Sequence, residues 1–297
     1  MKSMHLLIAL AVVVVWGLNF SIIKLGVSEM DPLILTGLRF TFAAIPAILF
    51  IPRPKVAWSI IATYGILFGV GVWGMLTLSI HAGMSAGMAS LLLQSSAFIS
   101  VLFGTIFLRE SLSIAKVIGL LLSIMGLILI FTITDGSVTV LGIILALVAA
   151  VSLSLTTLII KTKPISEMFA FVVWSCIFAP IPLFIISYLL QGSQGFILLT
   201  QNISFSGIFS VMFQAYPVTL LGYFLWNKLT VLYPISTMAP LTLMVPIFGF
   251  IGSIIFYQEP MGLTKAIAFS LIILGLVINL ADKSLMIFFT KTTSPSQ

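Results

Sequence analysis

Gly83-Met84-Ser85-Ala86-Gly87 matches the spacing of a nucleophile elbow, in which a strained turn exposes a serine hydroxyl to a nearby base. His81 is the base in reach along the chain, so an intramembrane hydrolase using Ser85 and His81 is one chemistry to weigh. The motif requires a strand before it, and here an apolar helical run precedes it, which favours a small-residue turn instead. No phosphate-binding loop, no CxxC and no acidic pair at ligand spacing occurs within the apolar runs. We therefore expect no metal, no cofactor and no catalytic residue. The single Cys176 lies within an apolar run and reads as a small core residue.

A second set of side chains can bind without reacting. Asn19, Arg39, Gln94, Gln214, Asn227 and Asn279 are polar groups inside apolar runs, where each needs a partner or a wet cavity. Gln94 can hydrogen-bond the polar end of an amino acid or bond a neighbouring helix. Gln214 and Asn279 read as packing contacts. Tyr216, Thr219, Tyr223 and Trp226 recur at i, i+3, i+7 and i+10, one face of an ideal helix. That face suits an apolar cavity with a few polar handles, or packing against lipid and core. Arg39 is the charge placed well inside a span. It either draws a substrate carboxylate in a charge-assisted bond or pairs with Glu29 or Asp31 at the outer surface. The acids Glu29, Asp31, Glu110, Asp135, Glu167, Glu259 and Asp282 all fall at loops or helix ends. A carrier tightly coupled to protons usually holds an acid within the membrane, so exchange or facilitated efflux is favoured, with His81 the remaining titrating candidate.

The elements that position these groups follow from composition. The chain is 61% hydrophobic and 7% charged, whereas a soluble domain carries roughly 25% charged residues. Its apolar runs are about 20 residues long, enough to cross a bilayer as helices, and lack the alternation of a barrel. We read an all-α integral membrane protein with ten transmembrane helices, near 4–24, 33–51, 59–80, 86–108, 114–132, 139–160, 168–190, 206–228, 235–257 and 263–281. The net charge of +6 is spread by loop rather than clustered, so no nucleic-acid partner is expected. With the N-terminus inside, only Lys24 and Lys265 fall on outer segments, while the other loop lysines and arginines fall inside. That asymmetry places both termini in the cytoplasm.

Residues 89–131 recur, faded, 149 positions later. Leu92, Glu110, Lys116 and Gly126 reappear as Leu241, Glu259, Lys265 and Gly275. The opening run Ala9 to Lys24 likewise resembles Ala146 to Lys161. We expect two five-helix repeats, 1–137 and 138–285, with a cytoplasmic tail at 286–297. Five is odd, so the second repeat enters the membrane inverted, the usual construction of secondary transporters.

Trp16-Gly17-Leu18-Asn19-Phe20, Gly37-Leu38-Arg39-Phe40 and the hairpins led by Glu110 and Glu259 resemble the drug/metabolite transporter superfamily, in its ten-helix EamA branch, over essentially the whole chain. Leu93-Gln94, Gly222-Tyr223 with Trp226, and Ala239-Pro240-Leu241 through Val245-Pro246 are similar to bacterial exporters of O-acetylserine and cysteine. Members with similar motifs export different metabolites. The resemblance implies an exporter of small amino-acid-like metabolites in a bacterial-type inner membrane, with the bilayer and a small-molecule substrate as its partners. It implies a pathway lined by Trp16, Asn19, Arg39, Gln94, Tyr216, Thr219, Tyr223 and Trp226.

Overall fold

The computed structural model describes residues 1–109, 113–163, 165–201, 204–233 and 235–292, with side chains followed to Asn279. Glu110 and the tail residues beyond 292 therefore lie outside the described residues. Helices form throughout, and no strand occurs among the described residues. We number the long helical segments α1 (Ser3–Val27), α2 (Pro32–Ile48), α3 (Trp58–His81), α4 (Ala86–Leu108) and α5 (Ile114–Ile130). The chain continues with α6 (Val140–Thr162), α7 (Met168–Gln191), α8 (Phe205–Leu232), α9 (Ile235–Thr242 continuing as Met244–Tyr257) and α10 (Leu263–Thr292). Seven of these carry a stretch long and apolar enough to span a membrane, and α2, α5 and α10 carry shorter apolar stretches of 10–17 residues. The molecule is a helical integral membrane protein. Its large exposed side chains are apolar, as on α5, where Ile114, Leu121, Met125 and Ile128 face outward. Lipid, unlike water, accepts such a surface.

Short polar residues start the helices. Asp31 accepts from the N–H groups of Leu33 and Ile34 ahead of Pro32, and Ser85, Ser113, Thr139 and Ser204 cap α4, α5, α6 and α8 in the same way. Each cap satisfies a helix-end donor that the membrane cannot hydrate.

Several helices depart from ideal geometry, among them α7, which carries a 3₁₀ turn at Cys176–Phe178. A π-helical segment interrupts α3 at Leu67–Gly74 and another interrupts α8 at Gln214–Leu221, which contains Pro217. Pro217 has no N–H to give to the helical ladder. The α4 helix breaks at Gln94 and α9 at Leu243, and the two end in left-handed residues, Arg109 (φ 55°) and Gln258 (φ 51°).

Without water to drive association inside the bilayer, close backbone approach sets the packing. A Cβ at Gly65 would collide with the Ser175 carbonyl, and one at Gly69 with Ala179, so α3 lies against α7. The α5–α10 pair is similar: Gly119 faces Asn279 and the Gly275 carbonyl, Gly275 faces Ser123 and the Gly119 carbonyl, and Gly126 faces Ile272 and the Ala268 carbonyl. Asn279, read from sequence as a packing residue, meets Gly119 of α5 and donates within α10 to the Gly275 carbonyl at 3.0 Å. Around α1, α2, α3 and α8 the core is aromatic, with Phe20, Phe40, Tyr64, Phe68 and Trp73 buried.

Candidate functional site

Arg39 sits at the centre of that core with no exposed surface. Its Nε donates to the Thr219 hydroxyl at 3.2 Å, and Nη1 donates to Gln214 Oε1 at 3.4 Å. The guanidinium lies 3.9 Å from the centroid of Trp73, a cation–π contact from α3. The third nitrogen, Nη2, is buried without a hydrogen-bond partner. The sequence-level alternative of an ion pair with Glu29 or Asp31 is not formed. Asp31 is occupied as the α2 cap and accepts from Ser187 at 2.9 Å, while the Ser204 and Ser206 hydroxyls hold the Glu29 carboxyl below its ordinary value. Rather than snorkelling outward, the Arg39 head reaches across to α8.

Behind Arg39 runs a polar relay. Gln214 Nε2 donates to Ser210 at 3.0 Å, and Ser210 donates to the Ile22 carbonyl of α1 at 2.7 Å. Thr219 donates to the Gln214 carbonyl at 2.8 Å, a bond that the π segment allows across five residues. Gln214, read from sequence as a packing residue, is thus a direct partner of Arg39. Its place in an apolar run was the signal; its neighbour on α2 was not visible along the chain.

Trp16 organises the adjoining aromatic wall. Its ring centroid lies 5.3 Å from Tyr223 and 5.2 Å from Trp226, and its indole N–H donates to the Val218 carbonyl at 3.1 Å. Gly222 makes room for it, since a Cβ there would meet Trp16 Nε1 at 2.6 Å. Tyr223 also meets Phe68, 5.7 Å between centroids, which joins this wall to the Arg39 core. Asn19 is completely buried, and both ends of its amide lack a partner. Trp73 Nε1 is likewise buried and unpartnered.

Two expected residues are placed apart. Tyr216 is 39% exposed and joins none of these ring contacts. The spacing argument assumed 3.6 residues per turn, and the wider π turn rotates Tyr216 out of register with Thr219 and Tyr223. Gln94 is half-buried at the break in α4 and makes no described contact with the Arg39 cluster.

The Ser85 motif serves structure. Gly83 takes φ +100° in the turn, and Ser85 accepts from the Met88 N–H and donates to Glu259 at 2.6 Å rather than to His81. His81 lies beside Glu29, Asp31 and Gln191 in a cavity of about 300 Å³. Among the described residues, no group of histidine, cysteine or acidic side chains could hold a metal.

A fully buried cation with no carboxylate beside it among the described residues, stacked on a tryptophan whose indole N–H is unpaired, is suited to take up a small anion. The model of the EamA-like transporter family matches residues 3–132 and 140–281. A protein of Escherichia coli (strain K12) called a probable amino-acid metabolite efflux pump is 36% identical over 92% of this chain and 93% of its own. A protein of Salmonella typhimurium with the same description is also 36% identical, over 92% and 93% of the two chains. An uncharacterized transporter of Archaeoglobus fulgidus is 26% identical over 89% of this chain and 94% of its own. A solved crystal structure shares the fold, with a TM-score of 0.52 and 19% identity over 94% of this chain and 97% of that one. The chain is a multi-pass membrane protein that belongs to the EamA-like transporter family.

Proposed function

We propose that this protein exports small amino-acid-like metabolites across a bacterial-type inner membrane by alternating access. The observation that carries the reading is Arg39: wholly buried, held by two neutral side chains and a tryptophan face, with Nη2 free to bind a carboxylate. Trp16, Tyr223 and Trp226 offer the rest of the ligand an apolar wall, Thr219 and Gln214 orient the guanidinium, and Asn19 supplies an amide. Gln94 and Tyr216 belong to the approach to this site rather than to its centre. Efflux of amino-acid metabolites is the activity ascribed to the two enterobacterial relatives, which supports this substrate class.

Alternating access rests on ten spans arranged as inverted repeats 1–137 and 138–285, with the tail and both termini cytoplasmic. Backbone features support the repeat. The helix breaks at Gln94 and Leu243 are 149 positions apart, as are the left-handed residues Arg109 and Gln258. The same offset pairs Gly119 with Ala268, Ser123 with Ile272 and Gly126 with Gly275. Exchanging the repeats turns the Gly119–Gly275 contact into Ala268–Gly126, and Ser123–Gly275 into Ile272–Gly126, and all four contacts are present. This reciprocity supports a two-fold relation between α5 and α10.

Two measurements test the proposal. Reconstituted vesicles should take up labelled O-acetylserine or cysteine, and Arg39→Lys should weaken transport about tenfold or more by losing the planar fork. Absence of uptake for every carboxylate metabolite in a panel would reject the substrate class. A cytoplasm-only reporter should be active after Gln297 and after Pro54 and silent in the loop at 192–195; activity in that loop would reject the orientation.

A further inference from the structure

At the opposite end of α9 from its break, the chain buries a second set of charges. Lys265, 1% exposed, binds Asp135 at 2.7 Å and Glu259 at 3.0 Å, and donates to the Pro260 carbonyl at 3.0 Å. Glu259 also accepts from Ser85 at 2.6 Å and from Ser253. Asp135 accepts from the Ser137 hydroxyl at 2.6 Å, and the Ser137 carbonyl takes the N–H of Ser85 at 2.8 Å. Ser85, Asp135 and Ser137 lie in the first repeat, whereas Ser253, Glu259 and Lys265 lie in the second. Every one of the contacts to Ser85 and Asp135 from Glu259 and Lys265 therefore crosses between the halves.

Directly beneath, the first half of α4 packs on the second half of α9 with almost no space between backbones. A Cβ on Gly249 would meet Ser90 Oγ at 2.5 Å, and one on Gly87 would meet Phe250 at 2.7 Å and Glu259 Oε2 at 2.9 Å. In sequence, the residues at the repeat offset differ from this set. The 149-position offset pairs Glu259 and Lys265 with Glu110 and Lys116, but pairs Ser253 with Gly104, Ser85 with Pro234 and Asp135 with Ser284. The Glu–Lys pair is thus duplicated in sequence, while the second carboxylate, Asp135, and the two hydroxyl donors to Glu259 have no counterpart at the offset positions.

We propose that Asp135, Glu259 and Lys265, with Ser85 and Ser253, form an ionic latch that holds the outer seam between α4 and α9 shut, so that the resting transporter is closed to the outside. This rests on the alternating-access reading above. Lys265 and Glu259 are buried while Asp135 is partly exposed, so parting the halves strips a buried ammonium and a buried carboxylate of their partners. Its three charged groups are the titratable side chains that meet at this point from the 131–139 loop, the 258–262 loop and α10. An opposing bias from substrate at Arg39 must overcome it for the outer seam to open.

The test uses Ser90→Cys as the reporter in a Cys176→Ser background, in intact cells, with a membrane-impermeant maleimide outside. In the parent, labelling is slow because Ser90 is buried under Gly249. Asp135→Asn and Ser253→Ala should each accelerate external labelling about tenfold, within the usual span of coupling energies, and Asp135→Glu should return it toward the parent rate. Ser187→Cys, buried near the outer end of α7 beside Asp31, reports general loosening and should not accelerate. Unchanged labelling in both latch variants at normal yield and melting temperature overturns the latch, as does equal acceleration at both reporters. Latch-dependent labelling without substrate flux in vesicles sinks the transport reading and leaves the latch standing. Flux with latch-independent labelling does the reverse.

Discussion

Arg39 is held by contacts that nearly balance its burial. Moving a guanidinium out of water costs several kcal/mol even after relaxation. Against this stand a desolvated cation–π contact of about 2 kcal/mol and two hydrogen bonds to a charged donor, roughly 1.5–3 kcal/mol each. Opposing terms of this size leave little net stabilisation, so the charge is retained for binding rather than for folding. We therefore expect Arg39→Met to melt within about 4 °C of the parent and to lose transport of carboxylate substrates. A large fall in melting temperature, measured on purified protein, would assign Arg39 to the fold instead.

At the scale of the element, the π segment of α8 decides which residues share a face. An ideal helix groups Tyr216 with Thr219 and Tyr223; the wider turn at Gln214–Leu221 leaves Tyr216 exposed and brings Thr219 onto Arg39. Thr219→Val removes the acceptor for Arg39 Nε with little change in shape, and should lower transport about tenfold. Tyr216→Ala should change it by less than about twofold, since it disturbs only a side chain outside the cluster. Equal losses from the two variants in a vesicle flux assay would restore the regular helical register. The same segment also explains why Gln214, five residues before Thr219, meets the same guanidinium from its own turn.

At the scale of the whole molecule, the buried Arg39 is set apart from the Asp135–Glu259–Lys265 cluster, whose charges compensate one another. Partial burial pushes the Asp135 carboxyl up, but the hydrogen bonds from Lys265 and Ser137 outweigh this and hold it below its ordinary value. A depressed folded-state value adds stability that is present above the unfolded value, about 3.9, and is lost as pH falls through the folded one. The parent should therefore melt about 2–4 °C above Asp135→Asn, as for a partly exposed pair. That margin should stay constant from about pH 8 to 5 and narrow below about pH 4. A margin that widens on acidification, in parallel thermal scans of the two proteins, would contradict the ion pair.

Much of this was already determined by the chain as written. Scarce charge and long apolar runs dictate membrane helices, because only internally bonded backbone survives in hydrocarbon, and polar residues such as Asn19, Arg39 and Gln94 must find a partner or a wet cavity there. Helix starts at Asp31, Ser85 and Thr139 were equally legible, since a cap acts over three residues. What the sequence left open was decided by approach between helices distant along the chain. Arg39 had acids nearby in sequence and chose Thr219, Gln214 and Trp73, from 34 to 180 positions away, because α2 packs between α3 and α8. Glu259 read as a loop cap and became the acceptor of Ser85, 174 positions before it, because α4 and α9 meet through glycines. A hydrogen bond is satisfied by whichever partner the packed helices bring within 3 Å, and that partner is set by tertiary contact, not by spacing along the chain.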